Sequence, residues 1–371
     1  MQPAEEFENR LWQAADNLRA NSGLRSSEYS TPVLGLIFLK YADRRFAATT
    51  RVLQAELGDD ELTALDYQDK GTLYLPDEAR FSTLLHLSED ADIGKAINDA
   101  MRAIEEENEE LRDVLPKSYT RLTNSTLVGL LRALMYPRRS GGGRLRSDLR
   151  ILSGRVRHDR RAEGAVLYTD YALVKLIVEI IEPFHGRIFD PASGSGGMFV
   201  QSAAFVARHQ ATHQRDQHLR TGKSAETVRL ARMNLAVHGL SGDIHEGNTY
   251  YDDLHNSPGF FDFVMANPPF NVNGVEKQKI EDDTRFPFGL PRTDNANYLW
   301  IQIFYSALNE QGRAGFVMAN SASDARSSEL EIRKQLLEAQ AVDVMIAIGP
   351  NMFYTVTLPC TLWFLDRGKR E

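Results

Sequence analysis

The 371-residue sequence predicts an α/β protein in which a helical amino-terminal domain precedes a mostly parallel sheet with helices on both faces. Through residue 137, apolar residues recur at spacings of three and four, which is typical of amphipathic helices. From residue 165 onward, short apolar strands alternate with helical stretches, the order that builds a parallel sheet. We therefore expect a helical domain over 1–137, a linker over 138–164 and a second domain over 165–371.

The first domain contains amphipathic stretches but no motif that carries chemistry. Apolar stripes at helical spacing run through 7–18, 93–104 and 127–134. The Ser-Thr-Pro sequence at 30–32 is typical of a helix start, so a further helix is expected to begin there. The charged run at 105–110 is expected to lie in solvent. The pattern predicts a packing or docking domain.

The linker is strongly basic. Residues 138–161 hold nine arginines and two aspartates, a local charge of +7, and glycine and serine interrupt the segment. A solvated connector and a phosphate-contacting segment both fit this composition.

The second domain is predicted to contain five strands and five helices. Apolar strand patterns occupy 187–190, 261–266, 314–319, 342–348 and 358–365. Helical patterns occupy 171–181, 198–208, 227–238, 298–308 and 329–337. Sheets of this kind bind ligands beyond the carboxyl ends of their strands, where the strand order reverses.

A glycine-rich turn over 190–197, here called the glycine loop, follows the first of these strands and leads into a helix. Glycines let the backbone approach a ligand closely, and the first amides of a helix face a polar or anionic group. Phe199 stands where a dinucleotide-binding loop has its third glycine, and no Gly-Lys-Ser/Thr follows, so neither nucleotide motif is present. A ligand cradle and a simple tight turn both remain compatible with this loop.

A second motif, here called the proline turn, comprises Asn267, Pro268, Pro269 and Phe270 at the end of the strand over 261–266. Two prolines remove two amide donors, so the Asn267 side-chain oxygen and a proline carbonyl provide acceptors for an amino group with two hydrogens. Such acceptance stabilises the nitrogen as it attacks, and Phe270 provides a ring on which a planar base can stack. A rigid strand-end turn without a ligand is the alternative.

DPASGSGG followed by NPPF resembles the S-adenosylmethionine-dependent adenine DNA methyltransferases, and in particular the modification subunits of type I restriction-modification systems. The flanking segments resemble the helical domain and successive parts of the catalytic domain of that family: FENRLWQAADNLR, LGLIFLKYADRRF, LVKLIVEIIEP, RLARMNLAVHG, GRAGFVMANSA and NMFYTVTLPCTLWFL. The resemblance implies a Rossmann-like catalytic domain, S-adenosylmethionine as the cofactor, and methyl transfer to the exocyclic amino group of a flipped adenine.

The resemblance also implies roles for individual residues. Asn267 and the Pro268 carbonyl would grip the adenine amino group, within the catalytic set Asn267, Pro268, Pro269 and Phe270. The cofactor would contact Tyr168, Thr169 and Asn248, together with the whole glycine loop: Asp190, Pro191, Ala192, Ser193, Gly194, Ser195, Gly196 and Gly197.

Three features depart from the family. Asp170 replaces the proline that follows the family's aromatic-Thr pair, and Gly222 occupies the position of the acid that binds the cofactor ribose. The stretch 210–224 has no apolar run, so no buried strand is expected there, and its only acid, Asp216, is a weak substitute. The basic linker replaces an aromatic-rich helix and loop. Either the chain is divergent, or short stretches of its coding sequence were read out of frame.

Composition restricts the setting. One cysteine, Cys360, excludes a disulfide framework and is expected to be a small core residue. With no membrane-spanning run and a polar, acidic amino terminus, we expect a cytoplasmic protein. No metal site is expected, because His209 and His213 lack a third ligand. The family's carboxy-terminal helical extension is expected to be absent.

The net charge of −8 disfavours independent DNA binding, because phosphate neutralisation needs a basic surface. The resemblance implies a specificity subunit that reads the DNA, with two methylation subunits for each, and a restriction subunit where restriction accompanies modification. Two alternatives remain open: a methyltransferase for protein glutamine or RNA, and a non-catalytic assembly subunit with a decayed cofactor site.

Overall fold

The computed structural model describes residues 26–58, 61–88, 90–135, 171–209, 217–222, 224–350 and 359–370. These residues divide into two compact units, one within Met1–Glu163 and Arg232–Leu240, the other within Gly164–Ala231 and Ser241–Glu371. The expected domain boundaries at 137 and 164 lie outside the described residues and stay predictions. The same holds for the amino-terminal stripe at 7–18 and the basic linker.

The described part of the first unit consists of helices with short connections. Their bounds are α1 (Ser26–Leu57), α2 (Ala64–Asp69), α3 (Phe81–Leu85), α4 (Ile93–Glu107) and α5 (Asn124–Leu134). The apolar stripes of α4 and α5 are buried as predicted, because both helices turn them toward one core. The N-cap of α5 is Thr123, whose hydroxyl accepts the Thr126 amide at 3.3 Å.

Two expectations for this unit are wrong. Helix α1 begins at Ser26 and contains Pro32, so the Ser-Thr-Pro sequence does not start it. The Pro32 carbonyl accepts a hydrogen bond from the Tyr119 hydroxyl at 2.9 Å, which links α1 to a residue that follows α4. The charged run at 105–110 is not fully solvated either. Glu105 is buried because it accepts from Lys117 Nζ at 2.6 Å and from a backbone amide at 2.7 Å.

The second unit is built on a seven-stranded sheet of order β3-β2-β1-β4-β5-β7-β6. The strands are β1 (Arg187–Asp190), β2 (Gln217–Gly222), β3 (Asp243–Glu246), β4 (Phe261–Ala266), β5 (Leu308–Ala319), β6 (Val342–Ile348) and β7 (Cys360–Asp366). Every neighbouring pair is parallel except that β7 runs antiparallel to both β5 and β6. The prediction of a mostly parallel sheet is confirmed.

Helices cover both faces of this sheet, as expected. The helices of the second unit are α6 (Tyr171–Ile181), α7 (Gly197–Arg208), the first part of α8 (Ala225–Val237), α9 (Asn297–Ala307) and α10 (Ser328–Glu338). The residues of α8 from Arg232 onward belong to the first unit. On β5, a Cβ added to Gly315 would lie only 2.7 Å from the Ile177 side chain of α6. The next residue, Phe316, packs against Phe304 of α9, with 4.7 Å between the ring centroids. Because successive strand residues face opposite ways, α6 and α9 lie on opposite faces.

The expectation that 210–224 holds no buried strand is wrong, since β2 pairs with β1 on one side and β3 on the other, and its Thr221 is buried. Ladder hydrogen bonds to two neighbours hold this strand in place without an apolar run in its sequence. The short strand β3 was not predicted. In the described part of the chain, no helix has the length and apolarity needed to cross a membrane.

Candidate functional site

The glycine loop lies between β1 and α7, as its sequence predicts. Asp190 ends β1 in a buried position, and its carboxylate accepts the Ala192 amide at 3.1 Å, which holds the turn closed. Gly196 has a φ of 77°, a left-handed conformation that favours glycine. Gly197 is the first residue of α7, so the glycine loop leads directly into the amino terminus of this helix.

The wall of the loop contains an unsatisfied polar atom. The Ser193 hydroxyl oxygen is buried and has no hydrogen-bond partner among the residues that the structure describes. The Ser193 amide donates to the Thr221 carbonyl of β2 at 3.1 Å, which fixes this residue in place. Among the residues that the structure describes, the Ser195 hydroxyl oxygen is the one neighbour of a Cβ added to Gly197, at 3.9 Å. These features fit a ligand with a polar, anionic end better than a closed turn.

The segment around Asn248 lies against the glycine loop. The Thr249 hydroxyl donates to the Pro191 carbonyl at 2.6 Å, a buried contact between residues 58 positions apart. Asn248 is fixed by its own turn, because its side-chain oxygen accepts the Tyr250 amide at 3.3 Å and its amide donates to Asp252 at 3.0 Å. Sequence reasoning missed Thr249, which no spacing rule singles out.

The proline turn follows β4, which is the direct neighbour of β1 in the sheet. The register pairs Phe189 with Val264, so both motifs project from the same edge. From β1 the chain builds β2 and β3 on one side and β4 on the other, so the strand order reverses between the two motifs. That reversal is where open parallel sheets bind their ligands.

Within the proline turn, burial differs from residue to residue. Pro268 is buried and Pro269 is exposed, whereas Asn267 and Phe270 are partly buried. The Asn267 side-chain oxygen is itself buried. The structure thus brings together the glycine loop, Asn248 and the proline turn at one edge of one sheet.

Directly after the turn, Asn271 adopts a left-handed backbone conformation, with a φ of 53°. Its side-chain oxygen accepts hydrogen bonds from Asn297 at 2.9 Å, Asn295 at 3.1 Å and Ser321 at 3.1 Å. Helix α9, which Asn297 begins, is held further on by Tyr298, whose hydroxyl donates to the Ala322 carbonyl at 2.7 Å. Burial raises the pKa of Tyr298 to about 12, so it stays a donor at neutral pH. No pattern in the sequence indicates this network.

Asp262, at the opposite end of β4, ties three strands together. Its carboxylate accepts the Arg187 amide and the Asn309 side-chain amide, each at 2.7 Å. Burial alone would raise the pKa of Asp262, but these hydrogen bonds and the Arg187 charge hold that pKa below its ordinary value.

Some predicted positions are not part of this arrangement. Tyr168, Thr169, Asp170 and Asp216 lie outside the described residues. Gly222 ends β2, where its carbonyl accepts the Gly247 amide at 3.0 Å. A Cβ there would lie 3.0 Å from Val228, so a side chain needs some adjustment to fit. His209 is an exposed residue whose Nδ1 lies 2.9 Å from the Phe205 carbonyl, as expected of a surface histidine.

A mostly parallel sheet with these motifs at adjacent strand ends defines the fold class of S-adenosylmethionine-dependent methyltransferases. Residues 153–371 match the family described as N-6 DNA methylase, and residues 7–134 match the HsdM N-terminal domain. The chain therefore belongs to the N-6 DNA methylase family, as a methylase subunit of the type I restriction-enzyme kind. The family resemblance read from the sequence is confirmed.

Known proteins agree with that assignment. The chain is 34% identical over 99% of its length to the type I restriction enzyme MjaIX methylase subunit of Methanocaldococcus jannaschii, and spans 70% of that protein. It is 33% identical over 75% of its length to the HindI methylase subunit of Haemophilus influenzae, spanning 66% of it. The fold matches a type I methyltransferase subunit from Streptococcus thermophilus with a TM-score of 0.77, at 22% identity, covering 98% of this chain and 85% of the other.

Proposed function

We propose that this chain transfers the methyl group of S-adenosylmethionine to the exocyclic amino group of adenine in DNA, as the methylation subunit of a type I restriction-modification complex. The observation that carries the proposal is the position of the glycine loop and the proline turn on neighbouring strands, β1 and β4, where the strand order reverses. The proposed cofactor site in the glycine loop would therefore lie beside the proposed adenine site in the proline turn.

The glycine loop and Asn248 would hold the cofactor. The first amides of α7 suit its carboxylate, and the buried Ser193 hydroxyl provides a hydrogen-bonding atom that the described fold leaves unsatisfied. The bound cofactor supplies an electrophilic methyl group on a sulfonium. The Thr249–Pro191 hydrogen bond keeps Asn248 and the loop in a fixed relation, so the chain's contribution is orientation.

The proline turn would hold the target amino group. Asn267 and the Pro268 carbonyl act as two hydrogen-bond acceptors, and the adjacent prolines contribute no competing amide donor. Accepting both amino hydrogens concentrates the lone pair on the nitrogen and stabilises charge that develops during attack. Phe270 stacks on the base, which recovers part of the few kcal/mol lost when a base leaves the duplex.

DNA and other subunits are the proposed partners. The chain carries −8 overall, with +7 of local charge in residues 138–161, so the remainder carries −15. Negative charge repels the DNA phosphates, so we propose that a specificity subunit makes most of the DNA contacts. We propose two methylation subunits for each specificity subunit, with a restriction subunit where cleavage accompanies modification.

One observation favours a second function. Gly222 ends β2 at the position where the family has an acidic residue for the cofactor ribose, and glycine offers no side chain for that contact. A chain that binds the cofactor poorly would serve as a non-catalytic assembly subunit. Calorimetry with S-adenosylmethionine separates the two, since an assembly subunit gives no binding heat.

The function is tested by transfer of a tritiated methyl group to unmethylated genomic DNA, with and without a co-expressed specificity subunit. We expect incorporation into DNA that increases strongly when the specificity subunit is present. Incorporation into protein or RNA under the same conditions would contradict the proposal and favour the glutamine or RNA methyltransferase alternatives.

A further inference from the structure

Three metal-ligating side chains lie together in the second unit, apart from the residues of the candidate site. Asp243 and His245 lie two residues apart on β3, the edge strand of the sheet, and His255 lies in the segment that leads to β4. One ligand atom of each lies within 4.8 Å of the other two. Between the first two, Ile244 is buried on the opposite face, which directs both neighbours to the same side.

The spacing of the donor atoms is close to what one ion requires. One oxygen of Asp243 lies 2.8 Å from His245 Nε2, and the other lies 3.8 Å from His255 Nδ1. Zinc bonds to nitrogen and oxygen are about 2.0–2.2 Å long, so the donors of a tetrahedral site lie roughly 3.4 Å apart. The two measured separations, 2.8 Å and 3.8 Å, lie on either side of that value.

Exposure differs among the three ligands in a way that suits an accessible, anchored site. The His255 side chain is 1% exposed, and its ring packs edge-on against Phe189 at 5.7 Å and beside the His245 ring at 5.1 Å. The side chains of Asp243 and His245 are 58% and 49% exposed. A buried histidine therefore fixes one ligand, while two exposed ligands leave a route for an ion.

We propose that Asp243, His245 and His255 form a binding site for a divalent transition metal of the zinc type. Two imidazoles and one carboxylate suit zinc, cobalt and nickel, whereas magnesium and calcium prefer oxygen ligands alone. Three protein ligands leave a position for water. A bound ion would crosslink edge strand β3 to the segment before β4, and would use no residue of the glycine loop or the proline turn.

Hydrogen bonding alone is the competing explanation for this cluster. A carboxylate between two imidazoles accepts hydrogen bonds from both rings without any ion. The 2.8 Å separation of Asp243 and His245 fits such a bond, whereas the 3.8 Å separation of Asp243 and His255 is too long for one. The two explanations differ in whether the purified chain takes up a stoichiometric ion through these side chains.

The test is titration of the chelator-stripped full chain with zinc by calorimetry, and with cobalt by visible absorption, at neutral pH. We expect one ion per chain, with cobalt bands typical of nitrogen and oxygen ligands. Asp243→Asn and His245→Ala change exposed side chains, and each is expected to weaken binding about tenfold or more. His185→Ala, which removes an exposed histidine outside the cluster, is the matched control and is expected to bind like the unmodified chain.

Thermal unfolding in the absence of metal checks that the variants fold. Absence of binding by the unmodified chain would overturn the proposal, as would equal affinities for the unmodified chain, Asp243→Asn and His245→Ala. Either result would show that these three side chains do not bind the ion.

Discussion

Asn271 and Asn297 hydrogen-bond to each other reciprocally. The Asn271 amide donates to the Asn297 side-chain oxygen at 2.9 Å, and the Asn297 side-chain nitrogen donates to the Asn271 side-chain oxygen, also at 2.9 Å. Because Asn271 directly follows the proline turn and Asn297 begins α9, the pair fixes the turn to the first residue of a buried helix. The turn that would grip the adenine is therefore set by a contact 26 residues away along the chain.

Asn297→Ala is predicted to lower the methyl-transfer rate about tenfold or more, because it leaves the Asn271 amide without its acceptor and loosens the turn. Binding of S-adenosylmethionine, measured by calorimetry, is expected to stay unchanged. Asn297→Asp keeps the acceptor for the Asn271 amide, so its methyl-transfer rate is expected to lie between those of the unmodified chain and the alanine variant. A full rate in the alanine variant would show that the pair does not position the turn.

Asn271→Gly and Asn271→Ala separate the backbone from the side chain. Glycine tolerates the left-handed conformation and alanine does not, so we expect the alanine variant to be the less stable in chemical unfolding. Both variants lose the side-chain oxygen, and both are expected to transfer methyl slowly. Equal stabilities would contradict the backbone explanation.

Gly222→Glu, combined with Val228→Ala to make room, is predicted to tighten binding of S-adenosylmethionine. A carboxylate at the end of β2 would supply the hydrogen bond that the family makes to the ribose, which contributes about 1.5–3 kcal/mol, or roughly tenfold or more in affinity. Calorimetry measures the change, with Val228→Ala alone as the control. If the double variant binds no better than that control, the assignment of Gly222 to the ribose position is wrong.

Asp262→Asn is predicted to lower the free energy of unfolding by about 1–2 kcal/mol at pH 7. Arg187 and Asn309 donate to different carboxylate oxygens, and asparagine replaces one of these oxygens with an NH2 group that cannot accept. The pKa of Asp262 is depressed in the folded state, so its stabilisation is present above the unfolded pKa of about 3.9 and is lost as the pH falls through the folded value. Urea unfolding across this range should show the two proteins converging in acid. A difference that persists at low pH would contradict the charge-based explanation.

Cys360 is predicted to resist thiol reagents in the native protein. The side chain is fully buried, as expected from its apolar strand, and burial raises the pKa of the thiol to about 11. A raised pKa leaves little of the reactive thiolate at pH 8. Ellman's reagent should label one thiol per chain only after unfolding, whereas rapid labelling of the folded chain would contradict this burial.

Much of the sheet was predictable because most of its strands carry apolar runs. The strands Arg187–Asp190 and Phe261–Ala266 have the bounds that their apolar runs predict. Strand β2 was missed, because its sequence is polar and only its ladder partners reveal it. Helix α1 begins before Pro32, whose carbonyl is bound by the distant Tyr119 hydroxyl, a contact that the local start signal does not indicate.

The candidate site was predictable where its residues form contiguous motifs. Glycine and proline restrict the backbone, so the glycine loop and the proline turn show their shapes in the sequence. Thr249 and Asn297 were not predictable, because each acts through a contact distant in sequence. The cluster of Asp243, His245 and His255 was missed for the same reason.

The central claim, that the proline turn presents the amino group of adenine for methylation, is tested most directly with Asn267→Ala. The measurement is the amount of N6-methyladenine formed in unmethylated DNA by the chain and its specificity subunit, determined by mass spectrometry of the digested DNA. We predict that the unmodified chain forms N6-methyladenine, and that the variant forms none while binding S-adenosylmethionine with unchanged affinity. Undiminished N6-methyladenine formation by Asn267→Ala would contradict the account.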